Sequence, residues 1–549
     1  MEKRTIIALS LYFVIMLVWW TWWGTKKQPQ QIPEQKIITQ QQIPQTENIL
    51  KEESTSSSPQ IEEKDIIVEN NFYKIILSNK GAYIKQVFLK QYYEKENTNV
   101  KLIPLDTSQN FSSGIISCLE NEKLSYVNTI YECSLEKNII LDNTNLSHQI
   151  NFVTTLSNGL EITKTYSFEN NSYLVDLEIK LKNIRNTPIS FGEKGSYKLI
   201  WGPGIHIEEN NKDSSMYTQI VLLENNKAKF DNFTKFTKQQ KETEYFGNIN
   251  WIGIKNKYFA SILVPLNKTE SAVVAPVSSL PTIGLKMPAL YLKPQESQID
   301  KFLIYQGPLK YDLLSQLKDK EKNPLHLEKI VYMGWDIFKG ISVFMLNILN
   351  KLYDWVHNYG WAIILLTFLI KILLSPTTHW SMKSTKALQN IQPAINEIKA
   401  KYKNDQQKAN KEIMELYRRY KVNPFGGCFP MLLQMPILVA LFGTLSYSIE
   451  LRQSSFFWIQ DLAKPDTLFY LGSMSINILP ILMTITTIIQ TKMTPTMSAD
   501  NQAKTMVYIM PLIMLFIFWN FPSGLVLYWL MMNIFTIIQQ WMDLKLGKK

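Results

Sequence analysis

Thr367, Lys371 and Ser375 stand four residues apart in the apolar run 361–378, WAIILLTFLIKILLSPTT. Helical spacing puts a hydroxyl, an ammonium and a second hydroxyl on one side of an otherwise greasy helix. With its flanks the run is long enough to cross a bilayer, and a cation near its middle costs about 2.5–3.5 kcal/mol on insertion scales. Such a charge either faces a wet cavity inside the membrane or snorkels. Lys371 lies five residues before Pro376, roughly 7 Å at 1.5 Å per residue, which a long side chain reaches. Both readings stand on this segment alone. Later apolar runs add Gln434, Thr484, Thr487, Tyr528, Asn533 and Thr536. Singly, such groups glue helices together; with the stripe they would line a hydrated groove.

The elements that position these residues follow from a division in the chain. Of 549 residues, the first 330 are polar and rich in Asn, Lys, Ile and Glu, and the last 220 are dominated by long apolar runs. A membrane protein joined to a water-soluble domain is expected. Three cysteines make no disulfide framework; Cys118 and Cys133 either pair or are two unrelated thiols. The five His are scattered without zinc spacing and no GxxxxGK[ST] loop occurs, so neither a metal nor a nucleotide is expected.

Residues 5–24, TIIALSLYFVIMLVWWTWWG, follow Lys3 and Arg4 and precede no small-residue cleavage site. They predict an uncleaved signal anchor over 1–24 with its N-terminus cytoplasmic. Residues 25–63 turn to Gln, Pro, Ser and Glu and read as a disordered tether. Lys26 and Lys27 sit on the wrong side for the positive-inside rule, a conflict that Lys3 and Arg4 partly outweigh. Over 64–325, short alternating runs such as FYKIIL, YIKQVFL, LEITKTYSF and YLVDLEIKL alternate with Asn/Gly turns, predicting a β-sandwich. Residues 326–356 hold an apolar stretch whose Asp336, Lys339, Asn347, Asn350, Lys351 and Asp354 form one stripe, the pattern of an amphipathic helix lying in the outer interface.

Residues 379–422 read as two helices joined at 401–405. They carry ten Lys/Arg, among them Lys399, Lys401, Lys403, Arg418 and Arg419, against four acidic residues. That net of +6 within a chain total of +11 places the hairpin in the cytoplasm. The charges either fix topology and touch anionic lipids or dock something acidic such as ribosomal RNA. Four more apolar runs, 427–448, 470–491, 505–521 and 524–542, complete a helical part over 357–542, followed by a basic tail at 543–549. Six spans result, with both termini cytoplasmic and the large domain outside.

Two motifs interrupt these spans. In NPFGGCFPMLLQMPI, Pro430 and Pro436 remove backbone donors from a membrane helix, Pro424 precedes it, and Gly426 and Gly427 permit a tight entry. In FPSGL, Pro522 and Gly524 make a near-minimal turn between the last two spans. NPFGGCFPMLLQMPI and FPSGLVLYW closely resemble signatures of the YidC family of membrane-protein insertases, and the order of elements resembles it too. The likeness runs from about 330 to 542 and, more weakly, through ITKTYSF and YFASILVP of the first half.

The resemblance implies an inner-membrane protein of a Gram-negative bacterium: a periplasmic β domain inserted before a five-helix core. It implies a groove open to cytoplasm and lipid, with one cation at its heart. That cation is usually Arg; Lys371 stands in its place, keeping the charge and losing the bidentate fork. Thr367 and Tyr528 match groove positions, and Trp529 stands where an aromatic is usual. The implied function is insertion and folding of nascent membrane proteins without a covalent step or cofactor, beside the ribosome, the Sec translocon and the signal-recognition-particle receptor. A secondary transporter or channel with an intramembrane cationic site is the alternative, disfavoured by the lack of inverted repeats.

Overall fold

The strands Leu160–Glu169 and Leu174–Asn183 alternate inward and outward along their length and pair antiparallel, Leu160 opposite Asn183 and Phe168 opposite Val175. Asn171 takes a positive φ in the turn between them, a conformation that Asn tolerates better than most side chains. The structure, a computed structural model, describes residues 62–546 apart from 95–97, 104–112, 121–122, 134–137, 192–194, 203, 206–217, 234–235, 237–241, 278–279, 335, 404, 424–428, 473 and 494–500. The expected anchor, nearly all of the tether, and Pro424, Gly426 and Gly427 lie outside the described residues.

The two strands belong to a nine-stranded sheet that runs from Lys227–Asn232 at one edge to Glu132–Cys133 at the other. A six-stranded sheet with Tyr197–Trp201 inside it lies against this one. Tyr197 donates to Asp300 Oδ2 at 2.6 Å, and Trp201 Nε1 donates to Ser261 Oγ at 2.6 Å. A five-stranded sheet, all antiparallel except for Ile139–Ile140 beside Asp65–Glu69, completes the β-rich half. Lys164 occupies an inward position of its strand, fully buried. Its ammonium donates to the carbonyls of Gly81 at 2.7 Å, Gly114 at 2.8 Å and Ala82 at 3.3 Å. Three donors meet three acceptors, which is how a buried cation is tolerated, although burial pulls its pKa down to about 7.

Nine α-helices are described from residue 311 onward: α1 (Tyr311–Gln316), α2 (Lys339–Val356), α3 (Tyr359–Asn390), α4 (Gln392–Lys401), α5 (Gln406–Arg419), α6 (Phe429–Tyr447), α7 (Ile478–Met493), α8 (Asn501–Phe518) and α9 (Ser523–Leu546). Helix α3 and the segment Ser523–Asp543 of α9 are long and apolar enough to cross a membrane; the apolar parts of α6, α7 and α8 are shorter. These helices are inside out relative to a water-soluble bundle. Leu373 of α3 is 72% exposed and Phe516 of α8 is exposed, while Thr367, Asn533 and Thr536 are buried between helices. That is the distribution expected where the solvent is hydrocarbon.

Three elements differ from the sequence reading. Helix α3 does not end at Pro376 but runs through it to Asn390, so Lys371 lies about 28 Å from the helix C-terminus at 1.5 Å per residue. Pro430 is the second residue of α6, where a missing N–H costs nothing, so of the two expected interruptions only Pro436 is interior. The apolar run 470–491 opens not as a span but as a β-hairpin, Thr467–Leu471 with Met474–Asn477, and helix begins at Ile478. Asp466 decides that boundary: its Oδ2 accepts from the N–H groups of Ile478 at 3.0 Å and Leu479 at 2.6 Å, capping α7.

Polar contacts join the β-rich half to the helices. Arg452 Nη2 and Gln453 Nε2 both donate to the Tyr93 carbonyl, at 2.7 and 2.8 Å. Lys255 reaches the Ile330 carbonyl, and Asn350 of α2 donates to Asp312 at 3.2 Å. Asn350, expected on the polar stripe of α2, thus turns toward the junction. Glu450 is buried there: Ser448 donates to its Oε2 at 2.6 Å and its Oε1 has no partner among the described residues. Burial holds the Glu450 carboxyl above its ordinary pKa.

Candidate functional site

Helices α3 and α9 run side by side in the same direction, and polar side chains meet along their contact at successive turns. Lys371 Nζ donates to Thr536 Oγ1 at 2.9 Å. One turn on, Gln539 Nε2 donates to Ser375 Oγ at 3.1 Å and to the Ser375 carbonyl at 3.2 Å. One turn further, His379 Nδ1 lies 3.2 Å from Asp543 Oδ1. The α3 members recur every four residues, so the stripe of Thr367, Lys371 and Ser375 is a single seam that extends to His379. Thr367 lies one turn above Lys371, where its hydroxyl donates to the Ile363 carbonyl at 2.7 Å.

Lys371 is 8% exposed, set between Thr536 and the apolar bodies of the two helices. Asp543, the acidic group of the seam, lies further along it beside His379. A cation in a low-dielectric site is stabilised by such a partner, and one hydroxyl acceptor leaves two ammonium hydrogens for other ligands.

The same α9 also meets α7 and α6. Asn533 Nδ2 donates to Thr487 Oγ1 at 2.8 Å and to Thr486 Oγ1 at 3.3 Å. Thr487 itself donates to the Met483 carbonyl, and Thr484 to the Pro480 carbonyl, both at 2.7 Å. Tyr528 is fully buried near the top of α9, its hydroxyl beside Gln434 of α6. Trp529 points elsewhere, packing on Phe518 of α8 with ring centroids 5.1 Å apart. The structure therefore gathers Lys371, Ser375, Gln434, Thr487, Tyr528 and Asn533 around α9, while the Thr367 hydroxyl, buried one turn from Lys371, is bonded within α3. Thr484 is spent on its own helix and Trp529 on the α8 packing.

Sequence reasoning missed His379, Gln539, Asp543 and Thr486. The period that carries Thr367 to Ser375 points straight to His379, and it was cut short by taking Pro376 as a helix end. The α9 members sit at 536, 539 and 543, a spacing legible only once their partners on α3 are known.

At α9's entry, Ser523 and Gly524 donate their N–H groups to the carbonyls of Lys464 at 2.8 Å and Leu462 at 2.9 Å. A Cβ at Gly524 would stand 3.2 Å from the Leu462 oxygen, so this close approach favours glycine. At the other end, α4 and α5 form the basic hairpin, closed by Ile391, Ile395 and Leu416 on Leu388 of α3. Lys399, Lys401, Lys403, Arg418 and Arg419 are all exposed on it. Lys401 and Lys408 flank the Tyr402 ring at 5.5 and 5.3 Å. No group of three or more His, Cys, Asp or Glu side chains that could hold a metal occurs among the described residues.

Residues 351–548 match the family model described as a 60Kd inner membrane protein, and residues 65–348 match that of the YidC periplasmic domain. A protein of Geotalea uraniireducens named membrane protein insertase YidC is 32% identical over 98% of both chains. One of the same name from Syntrophus aciditrophicus is 34% identical over 87% of this chain and 84% of its own. A solved structure, an active YidC insertase with its first transmembrane domain resolved, covers 87% of this chain and 92% of its own at 19% identity and a TM-score of 0.36.

Proposed function

The chain belongs to the YidC family of membrane protein insertases, and we propose that it inserts newly made membrane proteins by presenting the seam centred on Lys371 to their polar segments within the bilayer. The observation that carries this reading is the inversion described above: apolar side chains cover the outside of the helices, and polar ones line the contact between α3, α7 and α9. A short polar segment of a substrate crosses hydrocarbon at a cost of several kcal/mol for each unsatisfied group. The ammonium, with hydroxyls and amides one turn apart, gives that segment partners on its way. The substrate's own apolar helix then leaves sideways along exposed residues such as Leu373, driven by burial of apolar surface. No covalent step is required.

In this reading α3, α6, α7, α8 and α9 are five spans and residues 5–24 a sixth. The β-rich domain lies in the periplasm, α2 lies at the outer interface, and the α4–α5 hairpin and both termini are cytoplasmic. The hairpin's exposed cations receive the substrate from the ribosome or a targeting receptor and touch anionic lipid, and the Sec translocon is a neighbour for larger substrates.

The test is complementation of a depletion strain, with protein levels checked by blotting and a stalled nascent chain crosslinked to positions 367 and 528. Lys371→Arg should support growth and Lys371→Ala should not. The loss should be greatest for substrates with acidic translocated tails, because Coulomb attraction needs the partner charge. Full complementation by Lys371→Ala with unchanged crosslinks would retire the mechanism.

A further inference from the structure

The hairpin Thr467–Asn477 carries an apolar surface that its own chain does not cover. Leu468, Phe469, Tyr470 and Leu471 are 51%, 52%, 71% and 69% exposed. Successive strand residues point to opposite faces, so both faces of this ribbon are apolar and open. An isolated two-stranded hairpin is marginal in water, and an exposed apolar edge invites aggregation. No charged residue, the usual guard against that, occurs between Asp466 and Lys492.

The base of the hairpin, by contrast, is fastened with polar bonds. Thr467 donates to Asn477, Asn477 donates to the Trp519 carbonyl, and the Trp519 indole donates to the Ser475 carbonyl. Asp466 ties that base to Trp458 as well as to the first turn of α7. Its level is set by neighbours. The same loop places Phe456 and Phe457 against Trp361, at the first turn of α3, with centroids 5.5 and 6.1 Å apart. Trp361, Phe457 and Trp458 are exposed, forming an aromatic belt at the end of a span. Arg452 of the same loop turns the other way, to the β-rich domain.

We propose that this hairpin is a lipid-binding element whose tip, Leu468–Leu471, lies in the boundary between headgroups and acyl chains of the outer leaflet. It rests on the multi-pass reading above. The occupant is phospholipid rather than a protein partner for two reasons: the ribbon leads directly into α7, whose Ile481, Leu482 and Ile485 are exposed, and it is apolar on both sides. A protein groove would cover one face and leave the other in water. So placed, the hairpin anchors the loop that bears the contacts to Tyr93 and fixes the height of α7.

The experiment uses the full chain with its three cysteines replaced by serine, reconstituted in phosphatidylethanolamine–phosphatidylglycerol vesicles. A bimane probe is attached at Tyr470→Cys, at Leu471→Cys as a second tip site, at Lys464→Cys as a water-side reference and at Leu373→Cys on the exposed face of α3. Lipids spin-labelled near the headgroup should quench the tip probes several-fold more than the Lys464 probe, and iodide should do the opposite. Tip probes quenched by iodide and not by lipid would overturn the proposal, as would protection from both that disappears when the protein is diluted into excess lipid, the mark of a second copy. If Leu373 is quenched by lipid and the tip is not, the hairpin proposal fails alone. If neither is, the multi-pass reading fails with it.

Discussion

Thr536 is the hydroxyl acceptor that the Lys371 ammonium meets, and α9 supplies it from a position where its own hydroxyl also donates to the Met532 carbonyl. Replacing that oxygen by a methyl group leaves a buried ammonium short of an acceptor, at a cost of about 1–3 kcal/mol. Thr536→Val should therefore lower the melting temperature in detergent and weaken complementation, whereas Thr536→Ser should restore both; equal behaviour of the two variants would separate the hydroxyl from the function. Glu450 makes the opposite argument outside the apolar helices. Its pKa is raised first by burial, with Asp312 adding and Ser448 and Lys310 opposing; the hydroxyls of Tyr92 and Tyr359 also lie within its field. A carboxyl raised in the folded state binds its proton more tightly there than in the unfolded chain. Its stabilising effect is complete below the ordinary value of 4.5 and is lost as pH rises through the folded value. Glu450→Gln should accordingly melt higher than the parent at pH 7.5 and no higher at pH 4, read as melting curves at the two pH values. A gain that is the same at both would show that burial of the charge is not its cause.

Packing of α2 on α6 depends on close backbone approach. A Cβ at Gly443 would stand 2.9 Å from the Gly334 nitrogen and 3.0 Å from the Met333 carbonyl carbon, both rigid atoms. Gly443→Val should force α6 away from the chain entering α2 and cost about 2–3 kcal/mol, enough to lower the amount of folded protein in the membrane. Normal abundance and melting would refute the contact. Little in the sequence announces this glycine, since its use depends on a partner 109 positions away. What was legible were local periods. The strands LEITKTYSF and YLVDLEIKL were read nearly to the residue; the stripe on α3 and the break of the basic hairpin near 401–405 were legible too, although the hairpin's first arm begins at Gln392 and not at His379. Lengths failed where a local signal competed with a tertiary one: Pro376 does not stop α3, and an apolar run with no charge turned out to be part hairpin, part helix. Within the site, Thr367, Lys371 and Ser375 could be grouped because one helix carries them. Gln539 and Asp543 could not, because their meaning lies in partners about 164 residues away.

At the scale of the whole molecule, the two halves divide the labour unequally. Every polar group of the seam lies after residue 360, while the junction that ties the halves together rests on the Tyr93 carbonyl and on Lys257, which donates to the Ala463 carbonyl. Removing most of residues 70–310 while keeping residues 1–24, α1 and α2 should leave insertion largely intact. It removes the carbonyl that Arg452 and Gln453 grip and the Tyr258 and Phe259 rings on which Arg452 lies. The shortened protein should therefore melt lower than the full chain yet complement a depletion strain when expressed to equal levels. Protease added to spheroplasts carrying the full chain should cut the β-rich domain and spare the α4–α5 hairpin, which checks that the deletion removes an external part. A shortened protein that is folded, present in the membrane and unable to insert any substrate would place part of the insertion work in the β-rich half. In that event the contacts of Arg452 and Gln453 with Tyr93 would be where the two halves communicate, and Arg452→Ala in the full chain should reproduce part of the loss.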